Sequence, residues 1–478
     1  MKTNSIIKAL VAVLIVLLVH SCALPKVTQK DPNKNLPTTY QNEVTDSVNS
    51  AKADWKTFFE DPALTNLIDE AVVNNKEVNI MLQKIMMSQN EIQTRKGEYL
   101  PFVNLGAGAE VEKVGRYTRN GAVEENLNIR DGKAFPDPLG DFKLGATASW
   151  ELDIWKKLRN AKKAAVLEYL ATTEGKNLLV TNLVSEVARS YYELVALDNE
   201  LQNLNQNIEI QENALEVVKL LKEGARTTSL AVKRFQAEVQ KNKSEVYLVK
   251  QEIRETENEI NFLLGRTPQP IVRNATDFID LVPKIVQTGI PSQLLQNRPD
   301  VRQAELELAA SRLNIKVAKA DFYPSIGIKA GVGFNAFNPK FLLNTPESLL
   351  YSAAADIMAP LVNRNAIKAA YKNANSRQIQ AAFEYEQQLL NAYKEVANQV
   401  SNLDYLVKSY NLKEQQVQSL TESIEIANQL FQYARADYME VLLTQRDALE
   451  ARKELIHTKK EQMIATVDLY KALGGGWR

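Results

Sequence analysis

Residues that carry chemistry are scarce in this chain. Among 478 residues there is one cysteine and there are two histidines, so disulfides, zinc sites and Cys/His catalysis have almost nothing to draw on. Excess charge of either sign is missing as well: 58 lysines and arginines balance 58 aspartates and glutamates. No basic surface therefore points to nucleic acid. Proline is absent from Ile154 to Gly224, which removes the usual breaker from a very long helical stretch. No nucleophile–base pair, metal cluster or phosphate-binding glycine loop stands out. Gly474-Gly475-Gly476-Trp477 has no helix after it and reads as a C-terminal stop. An enzyme is the least favoured class, with no catalytic residue, metal or cofactor expected, and the many carboxylates read as solvated helix faces.

What the chain does have begins at its N-terminus. Lys2 and Lys8 precede an apolar run from Ala9 to Val19, too short to span a bilayer and typical of a secretory signal peptide. The run ends Val19-His20-Ser21-Cys22, close to a bacterial lipobox. Only a thiol can take up the diacylglyceryl group, so the lone Cys22 reads as the lipidation site; ordinary cleavage nearby is the alternative. Residues 23–53, with Pro25, Pro32 and Pro37 among polar residues, read as an extended tether.

The mature chain is internally duplicated. Val187, Leu194, Leu201, Ile208 and Leu215 recur at sevens, and Val396, Leu403, Tyr410, Val417 and Ile424 repeat them 209 residues on. The same offset links Arg226 with Arg435, Val232 with Val441, and Leu264-Gly265 with Leu473-Gly474. A sustained heptad keeps one seam of a long helix on its partner and gives a left-handed supercoil. Gly224 to Ser229 and Tyr433 to Tyr438 interrupt the two copies at equivalent places and read as tips of antiparallel helical hairpins. The leader and the strands argue against a cytoplasmic coiled-coil dimer.

Between the helices the period changes from seven to two. Apolar residues alternate with polar ones or glycine at about 102–112, 142–152, 325–335 and 349–358. Each run has the length of a tilted transmembrane strand, although a soluble half-buried sheet would alternate in the same way. Glycine-rich polar faces suit a wet lumen. A long polar connection, Gly115 to Pro138, and a shorter one near Asn338 to Glu347 join the strands in pairs, and long outward loops suit an outer-membrane barrel. Four strands cannot close around a channel, and an open edge in lipid leaves backbone groups unsatisfied. Several copies must pool their strands; three would supply twelve.

At this point the chain resembles the TolC-like outer-membrane factors, in their lipidated NodT/OprM-type branch. The resemblance rests on Trp55-Lys56-Thr57-Phe58-Phe59-Glu60-Asp61-Pro62-Ala63-Leu64, Glu151-Leu152-Asp153-Ile154-Trp155, and Leu295 to Glu305 with its Asn297-Arg298-Pro299-Asp300 core. It rests also on Tyr99-Leu100-Pro101 and Phe322-Tyr323-Pro324 at the helix-to-strand joins. The implied fold is a mostly α, mixed α/β membrane protein, a homotrimer with a twelve-stranded barrel and a long periplasmic α-barrel. The implied divisions are 1–21 signal peptide, 22–53 lipidated tether, 54–265 first repeat, 266–290 equatorial linker, 291–474 second repeat and 475–478 tail.

The resemblance also implies an outer-membrane exit duct docked to a periplasmic adaptor and an inner-membrane pump of the resistance-nodulation-division class. In related channels the hairpin tips form the gate. Here the second tip offers Arg435, Asp437, Tyr438, Met439 and Glu440. Threefold symmetry would make each side chain a ring, and carboxylate rings favour cations. Asp437 and Glu440, tied by Arg435 or tip hydrogen bonds, are the expected gate; solvated tip charges are the alternative. Gly224, Arg226, Thr227 and Ser229 are the expected adaptor contacts, with Gly224 supplying a positive φ. A type I protein-secretion duct and a non-conducting structural lipoprotein are the competing functions.

Overall fold

A computed structural model describes residues 24–40, 48–274, 278–360, 362–433 and 435–478. The signal peptide, Cys22 and the tip residue Ala434 therefore lie outside the described residues. The main helices are α1 Pro62–Asn74, α2 Lys76–Tyr99, α3 Lys157–Glu223, α4 Ser229–Leu263, α5 Pro299–Ala320, α6 Asn365–Gln432 and α7 Tyr438–Ala472. The chain forms two compact units. One comprises the described residues up to Asp31 with Met87–Tyr169 and Leu306–Ala382; the other comprises Pro32–Met86, Leu170–Glu305 and Phe383–Arg478.

The first unit is built on an antiparallel sheet whose strands lie in chain order: β1 Phe102–Glu112, β2 Leu139–Glu151, β3 Ser325–Ala336 and β4 Leu349–Met358. Leu105 pairs with Ala146, Ala146 with Val332, and Val332 with Tyr351. Direct partners share a face, so the alternating apolar residues of all four strands point the same way. The other face carries the glycines and charges. There Gly145 lies opposite Gly333, and a Cβ on Gly333 would meet the Leu144 carbonyl oxygen at 2.5 Å.

Among the described residues nothing covers the apolar face: Leu105 is 83% exposed and Tyr351 81%. A half-buried soluble sheet would have packed those side chains against protein. Among the described residues no strand pairs with the outer edges of β1 and β4. No described helix is long and apolar enough to cross a membrane.

Two details differ from the sequence expectation. β2 starts before residue 142, because Asp141, Gly140 and Leu139 continue the pairing opposite Glu110, Val111 and Glu112. The polar connection Gly115 to Pro138 is folded. It holds a helix, Arg119–Asn126, capped by Thr118 Oγ1 accepting from Gly121 N at 3.2 Å, and a ribbon of Asn128–Arg130 with Lys133–Ala134. Local capping builds that helix without an apolar stripe.

The joins between helix and strand are pinned by tryptophan. Trp150 Nε1 donates to the Tyr99 carbonyl at 3.1 Å, and Trp155 Nε1 donates to the Pro324 carbonyl at 2.7 Å. Asp153 accepts from the backbone of Leu158 and Arg159 at 2.9 and 3.0 Å and so starts α3. The tether is seated on the protein. Leu24 and Val27 pack on Ile315, Phe322 and Tyr371, and the Gln378 amide brackets Lys30, donating to its carbonyl at 2.7 Å and accepting from its N–H at 3.0 Å.

The second unit holds the heptad seams. Val184, Val187, Tyr191 and Leu194 of α3 pack with Ile260 and Leu264, with Leu64 and Ile68 of α1, and with Tyr470 of α7. Here the segment at Ala53 and Phe58 meets the C-terminal helix. Tyr470 stacks on Phe58 with ring centroids 3.9 Å apart, and its hydroxyl donates to the Ala53 carbonyl at 2.6 Å. Trp477 Nε1 donates to the Asn297 carbonyl at 3.2 Å.

Arg298 ties α7 to α5. Its guanidinium donates to the Ala472 carbonyl at 2.9 Å, to Glu395 at 2.6 Å and to Asp300 at 2.6 and 3.0 Å. Asp300 also accepts from Val301 N at 2.9 Å and from the Gln388 amide. This arrangement satisfies one group at an end of each helix, the Val301 amide in the first turn of α5 and the Ala472 carbonyl at the end of α7.

Candidate functional site

The two hairpin tips sit together in the second unit on one apolar cluster. Leu215 and Val218 of α3 and Ala231, Phe235 and Val239 of α4 form it, and Phe431, Tyr438 and Leu442 of the second hairpin pack against it. Burying this seam, rather than helix propensity, holds helix ends so far from the main core. The Arg234 guanidinium reaches Met439 Sδ at 2.8 Å, a second link between hairpins.

Each tip ends its incoming helix with the same backbone closure. At the first, Ala225 N donates to the Lys222 carbonyl at 3.0 Å and Arg226 N to the Leu221 carbonyl at 2.8 Å. This pattern requires a left-handed residue at the position after the cap. That residue is Ala225, with φ 55°. The expectation that Gly224 supplies the positive φ is therefore corrected: Gly224 is the cap itself, one residue too early. At the second tip Arg435 N donates to the Leu430 carbonyl at 2.8 Å. Outgoing helices start differently. Thr228 caps α4 through Oγ1 accepting from Ala231 N at 3.3 Å, whereas Asp437, its equivalent, makes no side-chain capping bond.

Arg435, Asp437 and Glu440 are exposed, while Tyr438 and Met439 are half-buried. Among the described residues no ion pair joins Arg435 to Asp437 or Glu440. The tie expected between them is thus not made inside one chain, because the turn commits the Arg435 backbone to Leu430 and leaves its side chain in solvent. Gly224, Arg226 and Ser229 are exposed and Thr227 is half-buried. The structure brings both candidate sets to the same end of the helical unit. Sequence inspection missed Phe235 and Arg234, which join the tips; the heptad position of Phe235 between Ala231 and Val239 was the available signal. Among the described residues no group of histidine, cysteine or carboxylate side chains is placed to hold a metal.

Comparison with known proteins places this geometry. The profile of the family "Outer membrane efflux protein" matches residues 67–266 and 290–475, one match for each copy. The cation efflux system protein CusC of Escherichia coli O6:H1 is 28% identical over 97% of this chain and 98% of its own length. A Salmonella typhimurium protein named "Probable outer membrane lipoprotein SilC" is 25% identical, covering 91% of each chain. A crystal structure of CusC, described in terms of folding and transmembrane channel formation, superposes with a TM-score of 0.80 at 25% identity. It covers 94% of this chain and 100% of the other. With a bare apolar sheet, duplicated coiled-coil hairpins and both halves matched, the chain belongs to the outer membrane efflux protein family and is the outer-membrane exit channel of an efflux system.

Proposed function

We propose that three copies assemble into a duct that receives small solutes from a periplasmic adaptor and an inner-membrane pump of the resistance-nodulation-division class. One observation carries this reading: a four-stranded sheet whose apolar face is uncovered and whose two outer edges are unpaired among the described residues. Pairing β4 of one copy with β1 of the next closes the edges in lipid, and three copies give twelve strands. The polar and glycine face then lines a wet lumen. The CusC relative belongs to a cation efflux system, which supports a small-solute cargo selected upstream by the pump.

The chain is anchored by lipid on Cys22. Leu24 packs beside Phe322, just before β3 begins at Ser325. Two residues of chain reach roughly 7 Å at most, so acyl chains on Cys22 would enter the membrane near the foot of the strands. The gate is the second tip. Among the described residues its Asp437 and Glu440 carboxylates have no ion-pair partner, and they become three-membered rings in the assembly, with Arg435 of a neighbouring copy as the available counter-charge. The first tip, with Gly224, Arg226, Thr227 and Ser229, is the adaptor contact, and Arg226→Glu should abolish cross-linking to the adaptor.

Planar-bilayer conductance with the oligomeric mass of the same sample tests the duct. Trimers giving small, cation-preferring, mostly closed channels support it; a monomer or dimer that never conducts overturns it. Asp437→Ala with Glu440→Ala should raise closed-state conductance. An unchanged value would remove the gate from this tip.

A further inference from the structure

The coiled-coil seam of the second unit buries amides as well as apolar side chains, and the most deeply buried amides near the tips converge at one level. Along α3 the inward positions run Leu204, Ile208, Gln211, Leu215, Val218, and along α4 they run Phe235, Val239, Asn242, Val246, Val249. Steps of three and four alternate in both, so Gln211 and Asn242 occupy core positions of the heptad. Gln211 is completely buried and Asn242 is 3% exposed; they meet through Asn242 Nδ2 donating to Gln211 Oε1 at 2.8 Å. On α7 the series is Tyr438, Leu442, Gln445, Leu449. Leu442 packs on the cluster of Leu215 and Phe235 at the tip, and Leu449 packs on the cluster of Leu204, Ile208 and Val246 above it. Gln445, 1% exposed, therefore lies at the level of the Gln211–Asn242 pair.

Three helices thus place an amide at one core level, with the Leu215–Phe235 cluster on its tip side and the Leu204–Ile208–Val246 cluster, flanked by Asn203 and Asn207, on the other. The first-hairpin amides break the internal repeat: 209 residues on stand Leu420 for Gln211 and Ala451 for Asn242. Nor does the layer complete its own hydrogen bonding. Among the described residues Gln211 Nε2 and Gln445 Oε1 are buried without a partner, as are Asn203 Nδ2 and Asn207 Oδ1 nearby. Such groups lower stability relative to leucine at the same places. A polar residue at a core heptad position has one well-attested effect that offsets this: it fixes register, because any slip drives the amide into apolar surroundings.

We infer that Gln211, Asn242 and Gln445 form a register key that holds α7, the helix carrying the second tip, in a single alignment on the first hairpin. A slip of one turn would seat Gln445 among Ile208, Val246 and Val249 or among Leu215 and Phe235, and would face the Gln211–Asn242 pair with leucine. The three residues position the gate helix without touching the lumen. That last step rests on the gate assigned above to the second tip; the key itself does not.

Disulfide mapping in the full-length chain reads the register directly. Arg234→Cys is combined with Met439→Cys, its contact in the structure, or with Leu443→Cys one turn further along α7. In the native background the 234–439 cross-link should exceed the 234–443 cross-link by roughly tenfold. In a Gln211→Leu, Asn242→Leu, Gln445→Leu background the preference should collapse while the melting temperature rises by a few degrees. An undiminished preference in that background overturns the key. Should the triple variant not assemble, Gln445→Leu alone, which keeps the Gln211–Asn242 bond, must weaken the preference in the same direction, and no change there overturns the key equally. Gln445→Asn should retain it. Conductance of the same samples separates the two ideas. Lost register with raised basal conductance supports both, and lost register with unchanged conductance keeps the key and removes the gate.

Discussion

Ala225 holds a conformation that L-residues avoid. Its φ of 55° brings Cβ close to the following carbonyl, a strain of about 1–2 kcal/mol that glycine does not carry. Ala225→Gly should therefore stabilise the first hairpin by about 1 kcal/mol, seen as slower amide exchange at the ends of α3 and α4; faster exchange would contradict the assigned turn. Asp300 illustrates a different residue-scale balance. Burial pushes its carboxyl up, but the Arg298 guanidinium, the Gln388 amide and the Val301 N–H outweigh burial and hold it below the ordinary carboxylate value. A depressed folded-state value stabilises the protein above the unfolded value, near 3.9, and that stability disappears as pH falls through the folded value. Melting temperature should accordingly drop steeply below about pH 4. Asp300→Asn should flatten that drop and lower the melting temperature at neutral pH, because the buried Arg298 then keeps Glu395 as its one carboxylate partner among the described residues.

At the scale of elements, the sheet and the hairpins differ in how openly the sequence declares them. The change from sevens to twos was visible because lipid, like a protein core, demands an apolar face every second residue. The 209-residue offset was visible because duplication copied the seam positions together with the turns. What alternation could not reveal was why glycines cluster on the polar face. The register shows two of them directly opposed, Gly145 and Gly333, with β2 and β3 too close there for side chains. Gly333→Val should split that pair and reduce folded trimer in detergent, measured as heat-sensitive oligomer on unheated gels, whereas Ser352→Val on the neighbouring strand should be tolerated. The folded connection after β1 was illegible for the opposite reason, since Thr118 caps its helix without an apolar period. At the tips, residue type suggested charge and turn, but a lone strand of sequence cannot show which hairpin a side chain will touch. The Arg234–Met439 contact and the amide level at Gln211 each join residues from separate segments.

At the scale of the whole molecule, stability is concentrated where distant segments close on one another. Arg298 holds the Ala472 carbonyl at the end of α7, Trp477 Nε1 donates to the Asn297 carbonyl, and Tyr470 is stacked on Phe58. The final residues also leave no spare room: a Cβ at Gly474 would meet the Asn297 carbonyl oxygen at 2.5 Å, and one at Gly475 would fall on the Tyr470 ring at 2.2 Å. Deleting residues 474–478 should therefore prevent assembly rather than trim a loose end, with protease-sensitive monomer replacing trimer; normal trimer yield would show the tail to be dispensable. The clasp has a further consequence for how the protein is delivered. A chain exported by the leader expected at residues 1–21 would cross the inner membrane as an unfolded thread, N-terminus first. Phe58 arrives early, but its stacking partner Tyr470 and the closing Trp477 arrive last. On that route the Phe58–Tyr470 stack and the Trp477–Asn297 bond would form only after the last residues had crossed.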